Sequence, residues 1–471
     1  MDRHRLATVG MCAVLLVLAG GLRFYRLGAA PFHVDELATQ AEVDVLMRGF
    51  RDADDTQISR LPRLIPLSHL VHALGYQCFG TDEFGSRVMM AILGTLSPLL
   101  IFLGLPASLG RAQSFIAALL VALWPEHIYY SQDNRFYITS HLVASLCMVA
   151  GAQAIARRSL PWAIGTGVLG VAAVFTHIVL ILLLAGFLAA VLVTACVARD
   201  RALLPTLGVG VVCALVVAAI FLGYQRPVLG QWNAGPLITY TSLRGLGNSL
   251  FHLGWPIAVL AGFGSVLALM HRDEQDCYWL VWASFWAGSA VIMPYLVPYT
   301  PNYNFPLAFG FIILAAKGIH RVYHALMPQS RVAAIAWVAL ACLLNFPSLV
   351  SHYVDGSCSN YREAAHCVRS RMQPSDALFA AAVDLMQYYL PEGPTPEAMP
   401  PYAPERAIAS LRQRLDTYDR VWVVFSYGRA TPPHALLQWL RANGTHELGW
   451  CLTRFDSFQY TTDVFLLTRR R

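Results

Sequence analysis

Eleven long apolar runs decide what this chain can fold into. They lie at 6–26, 87–105, 112–129, 136–156, 161–175, 178–198, 203–224, 253–270, 277–297, 305–320 and 332–350. A helix that crosses the hydrocarbon of a bilayer needs about 20 such residues, and only a helix or a closed barrel satisfies its backbone there. Composition agrees with that reading. Hydrophobic residues make up 56% of the chain and charged residues 13%, whereas a water-soluble domain carries about 25% charged residues. The pattern predicts an α-helical polytopic membrane protein of about 11 spans.

Basic residues mark alternate ends of these runs. One set of loops holds Arg3 and Arg5, Arg111, Arg157 and Arg158, Arg199 and Arg201, Arg272, then Lys317, Arg321 and Arg331. The opposite short loops hold few, Arg226 and Arg244 being the main exceptions. Cytoplasmic loops collect Lys and Arg, so the N-terminus is expected in the cytoplasm and the residues after the last run outside. The formal charge of +6 is then an orientation signal, and no nucleic-acid partner is expected. The apolar run behind Met1–Arg5 has no clear small-residue cleavage site after it and reads as a retained first span.

Two domains follow. Residues 1–350 form the membrane domain, with a long first external loop at 28–86 that contains amphipathic pieces at Glu36–Gly49 and Leu61–Phe79 suited to the membrane interface. Residues 351–471 change character. Helices are expected at Tyr361–Met372, Arg406–Leu415 and His434–Ala442, and strands at Ala377–Ala382, Arg420–Ser426, 446–454 and 463–468. That alternation suggests a small extracytoplasmic α/β domain. It is nearly neutral, with 13 basic and 12 acidic residues. Ten cysteines form no framework: five lie inside apolar runs, and no pairing among Cys358, Cys367 and Cys451 follows from sequence.

A membrane domain that acts on something outside needs its acids outside. Beyond Asp133 the membrane domain holds only Asp200, Asp273, Glu274 and Asp276, all in the cytoplasmic set. Asp52, Asp54 and Asp55 read as a solvated run, and Asp82-Glu83 as a turn. Apart from Glu42 and Asp44, charges within the amphipathic piece Glu36–Gly49, Asp35, Glu36, Glu126 and Asp133 remain, at the outer ends of spans one, three and four. Ionisable groups at that depth are costly and therefore candidates for function. The bland reading of Asp35-Glu36 is a pair of solvated acids opening a helix. Arg135, two residues from Asp133, has the planar donor fork that suits a phosphate.

Taken in order, Asp35-Glu36 after span one, Phe79-Gly80-Thr81-Asp82-Glu83-Phe84 leading to Arg87, and Ser131-Gln132-Asp133-Asn134-Arg135-Phe136-Tyr137 resemble the membrane glycosyltransferases of the fold-C class. The similarity is greatest to the branch that holds protein O-mannosyltransferases and lipid A aminoarabinose transferases. Thr176-His177 and Asn302-Tyr303 also look like family positions, and the resemblance covers about 30–320. Two departures stand out. The acid-Lys-Pro-Pro element of the aminoarabinose branch is replaced by Arg60-Leu61-Pro62-Arg63-Leu64-Ile65-Pro66, which weakens the case for a metal there. The usual Arg-Tyr before the tenth span is Asn302-Tyr303.

The resemblance implies transfer of a sugar from a polyprenyl-phosphate donor to an extracytoplasmic acceptor, which could be protein, lipid A or another glycan, in the cytoplasmic (inner) membrane. It implies Asp35 as base, with Glu36 or Asp133 as its supporting acid. It implies Arg135 as the clamp on the donor phosphate, with Arg60, Arg63 or Arg87 as helpers, and His33, Glu126, Gln132, Tyr137, His177 and Tyr303 as substrate-binding residues. No cofactor beyond the lipid-linked donor is called for, and a divalent metal is left open. A transporter or lipid-linked sugar flippase is the competing class. Such proteins often show repeated halves and charges near the midplane; this chain shows no repeat, and its external acids gather at one face.

Overall fold

The computed structural model describes residues 3–48, 66–199, 203–224, 242–271, 273–296, 301–355, 359–428, 432–453 and 459–469. These residues form two compact units. The first comprises Met1–Tyr25, Glu42–Gly80 and Gly85–Phe346; the second comprises Arg26–Ala41, Thr81–Phe84 and Pro347–Arg471.

The first unit is helical. Among the described residues, four helices are long and apolar enough to cross a membrane: Arg5–Phe24, Gly85–Gly104, Tyr137–Arg157 and Arg331–Val354. Two bent pairs pass the same test, Leu246–Leu253 with Trp255–His271 and Pro301–Leu307 with Phe309–Leu326, and four shorter apolar helices accompany them. The helices needed below are α1 (Arg3–Phe24), α2 (Val34–Met47), α3 (Pro66–Phe79), α4 (Gly85–Gly104), α5 (Arg111–Ala122), α6 (Pro125–Ser131) and α7 (Tyr137–Arg157). Helix α7 is almost wholly buried and packs on α4 and on Leu160–Val174.

One expected span is broken. The run 112–129 reads as continuous, yet it divides into α5 and α6 at Leu123–Trp124. Trp124 is extended (φ −73°, ψ 117°) and Pro125 opens α6. A residue before proline is pushed out of the helical region, and proline is welcome at a helix start, where its missing N–H has no partner to lose.

The second unit carries a five-stranded sheet in the order β2-β1-β3-β5-β4, with β1 Ala377–Ala380, β2 Glu397–Ala398, β3 Arg420–Gly428, β4 Gly444–Thr453 and β5 Gln459–Thr468. Strand β1 runs parallel to β2 and β3, while β5 runs antiparallel to both β3 and β4. Side chains alternate across β3, and both faces are buried. Val421, Val423 and Phe425 pack with Ala407, Leu411, Leu436 and Leu440 from the helices Pro404–Thr417 and His434–Asn443. Trp422 and Val424 pack with Tyr361, Ala364, Leu385 and Met386 from Tyr361–Arg371 and Val383–Tyr389. Helices on both faces explain why β3 reads as a continuous apolar run. The helix Val383–Tyr389 and the two-residue β2 were not expected from the sequence. Cys367 and Cys451 are free thiols.

Phe32, from the first loop, is fully buried in this second core. Burying a Phe contributes roughly 1.5–3 kcal/mol, which gives the physical reason why Arg26–Ala41 belongs to the C-terminal unit.

Candidate active site

The acid pair opens α2. Four N–H groups at a helix start have no partner within the helix, and here Glu36 supplies one from its side chain. The His33 N–H donates to Glu36 Oε2 at 3.2 Å, and His33 Nε2 lies 3.9 Å from the same oxygen. The bond is half of a capping box. Glu36 is 1% exposed, whereas Asp35 is exposed. Two adjacent carboxylates therefore differ in surroundings: Glu36 is buried and bonded to the turn, and Asp35 is exposed. Thr39 Oγ1 donates to the Asp35 carbonyl at 3.0 Å. Both acids sit where the helix dipole favours negative charge.

The second constellation belongs to the first unit and centres on α6 and the start of α7. Glu126, in the first turn of α6, is 2% exposed and lies 3.4 Å from His252 Nδ1. Asp133 is buried between the two helices in sequence. Asn134 exchanges hydrogen bonds with the Tyr76 hydroxyl at 3.0 and 2.8 Å, which ties the turn to α3.

An aromatic ledge forms around Phe136. The Arg135 guanidinium lies 4.8 Å over its ring, within cation–π range. His177 stacks on Phe136 at 4.6 Å and 19°, and Tyr303 lies 5.1 Å from His177. Tyr137 packs 4.6 Å from Phe136 and 4.4 Å from Tyr130. Arg135, Tyr137, His177 and Tyr303, which the sequence offered from three separate stretches, thus gather at one place. The turn bearing His177 is held from two sides: Ser68 and Ser140 both donate to the Thr176 carbonyl, and the Leu67 N–H donates to the Phe175 carbonyl. Burial first, and the Arg135 charge second, press the His177 pKa down to about 3. Its imidazole is neutral at physiological pH, so the positive charge of the ledge is that of Arg135.

Other expected residues are placed differently. Gln132 uses its amide on the end of α1, donating to the carbonyls of Arg23 and Tyr25 at 2.9 Å each. Those carbonyls lack partners within the helix, so the amide has a structural post that its sequence neighbours did not suggest. Arg87 is buried in the first turn of α4. Arg60 and Arg63 lie outside the described residues.

Arg23 was missed. It is fully buried and donates to the carbonyls of Ala19, Val121 and Ala122 at 3.1–3.2 Å and to His127 Nδ1 at 2.8 Å. An arginine inside the last turn of an apolar run was the available signal. By contrast, the buried Asp276 pairs with Lys317 and with Arg321 (3.2 Å), an ionic group that ties the helices Glu274–Leu296 and Phe309–Leu326 together.

Comparison with known proteins agrees with this architecture. Residues 62–224 match the family described as dolichyl-phosphate-mannose-protein mannosyltransferase. No curated protein matches by sequence. Among solved structures, apo ArnT from Cupriavidus metallidurans superposes with a TM-score of 0.61 at 14% identity, over 97% of this chain and 98% of that one. The same protein bound to undecaprenyl phosphate gives 0.56 at 14% identity, covering 96% and 97%. The oligosaccharyltransferase AglB from Archaeoglobus fulgidus, in complex with an inhibitory peptide and a dolichol-phosphate, gives 0.54 at 14% identity, over 84% of this chain and 61% of that one. The class is a multi-pass membrane protein with the fold-C glycosyltransferase fold. Within it, about a third of the chain matches the mannosyltransferase family model, and the fold is similar to that of ArnT.

Proposed function

We propose that this chain is a glycosyltransferase that takes a sugar from a polyprenyl-phosphate carrier and delivers it, with inversion, to an acceptor outside the cytoplasmic membrane. The observation that carries the reading is the split acid pair: a buried Glu36 bonded to the His33 backbone beside an exposed Asp35, at the first helix after span one. Support comes from two proteins of the same fold, seen with undecaprenyl phosphate and with a dolichol-phosphate.

In the proposed step an acceptor hydroxyl attacks the anomeric carbon. Asp35 takes the hydroxyl proton as the new C–O bond forms. The bond from that carbon to the phosphate oxygen breaks, and the phosphate leaves with the electron pair. Negative charge develops on the phosphate, and a preorganised cation stabilises it. Arg135, held over Phe136 beside a neutral His177, is assigned that role. Glu36 keeps the turn that presents Asp35. A single displacement inverts the sugar carbon. The donor is a hexosyl or pentosyl carrier, and the acceptor is a protein, lipid A or another glycan.

Reconstitution in vesicles with a polyprenyl-phosphate sugar tests the assignment. Asp35→Asn should lower the transfer rate by about 10²–10⁴-fold, the usual loss on removing a general base, with unchanged expression and insertion. Near wild-type transfer by Asp35→Asn would overturn it.

A further inference from the structure

The segment that delivers Asp35 is tied at intervals to the C-terminal sheet domain. Gly28 has φ +83°, and a Cβ there would come within 2.9 Å of the Phe84 backbone, so the chain passes Phe84 closer than any side chain permits. Arg362 Nη2 donates to the Ala29 carbonyl at 2.6 Å. The Phe32 N–H donates to the Tyr389 hydroxyl at 2.7 Å, and that hydroxyl donates in turn to Glu83 Oε1 at 3.0 Å. Arg362 Nη1 lies 3.5 Å from the same Glu83 oxygen. The Phe32 ring is buried in the sheet's helical face, edge-on to Tyr388 at 5.4 Å. Arg369 Nη2 holds the Tyr389 carbonyl at 2.6 Å. Asp35 follows Phe32 by three residues.

We infer that Tyr389 is a positioning residue for the acid pair, and that the C-terminal domain sets the place of the reacting carboxylate through the chain Glu83–Tyr389–Phe32. The inference rests on the reading of Asp35 as the base. Tyr389 suits the task because one hydroxyl both accepts and donates. Burial raises the pKa of this phenol, so the proton it gives to Glu83 stays on it. Phe32 supplies the anchor and Tyr389 the register. The link is short, and a misplacement near 1 Å at a reacting group can cost roughly 10²-fold in rate.

The full-length protein carries the test. Tyr389→Phe removes one oxygen and keeps the ring. Hydrogen–deuterium exchange across 29–37 should rise while that of β3 and β5 stays as in wild type. In vesicles, kcat should fall about 10-fold or more with the donor KM unchanged. Glu83→Ala should reproduce both effects, and Glu83→Gln, which keeps an acceptor oxygen, should restore them toward wild type. Unchanged exchange across 29–37 in Tyr389→Phe overturns the inference whatever the activity, and so does raised exchange with wild-type kcat. If Asp35→Asn retains full activity while Tyr389→Phe loosens 29–37 and lowers kcat, the assignment of Asp35 fails, but the anchoring role of Tyr389 stands.

Discussion

Arg135 shows how surroundings assign a residue its post. Its guanidinium lies over the Phe136 ring, and His177, stacked on the same ring, stays neutral. Asp276, fully buried, is instead paired with two cations, Lys317 and Arg321. A planar fork grips phosphate oxygens bidentately, while lysine presents a point charge. Arg135→Lys is therefore expected to keep the fold and weaken donor handling, and Arg135→Ala to weaken it further. Initial rates against donor concentration, at saturating acceptor, check this. The expected result is a donor KM raised at least several-fold with an intact melting curve. A collapsed melt, or a shift in acceptor dependence alone, would make Arg135 structural or acceptor-facing.

The break between α5 and α6 is the element on which the membrane-side constellation depends. Pro125 ends one helix and starts the next, and the loose carbonyls of Val121 and Ala122 are taken by Arg23. Helix α6 can then settle on α4 only because residue 94 is glycine: a Cβ there would collide with the Ser131 side chain and come within 3.1 Å of Arg23 Cδ. Gly94→Leu should push α6 outward and lower stability by about 1–3 kcal/mol, the range for overpacking a filled interior. The melting temperature in detergent reads the loss. A melt equal to wild type, together with wild-type transfer, would mean that the contact between α4 and α6 tolerates the volume and does not set the site.

At the level of the whole chain, the arginine pattern predicts that the sheet domain lies outside the cytoplasm. Ser375 is exposed beside the start of β1. A cysteine introduced there should react with a membrane-impermeant thiol reagent on intact or outer-permeabilised cells. Labelling only after the inner membrane is broken would reverse the orientation and remove the sheet domain from the acceptor side. The domain's role would otherwise be obscure, since its charge is balanced and its core is closed on both faces of β3. The inferred positioning of Asp35 through Phe32 would give it one.

Much of the architecture was legible one residue after another. Runs of about 20 apolar residues and the continuous stretch Val421–Phe425 announce their elements because burial is a local demand on side-chain type. Trp124-Pro125 could have been read as a break, since proline acts on its own neighbours. The acids were legible too, because charge near lipid is conspicuous. What each acid does was not. Nothing in Asp35-Glu36 says which carboxylate is spent on the His33 backbone, and nothing in Gln132 says that its amide closes α1. Nor does any local pattern join Phe32 to Tyr389, 357 positions away. Those assignments rest on hydrogen bonds and close approaches between distant segments. Such contacts exist only once the chain has folded and excluded water, and they give residues of one chemical type different surroundings.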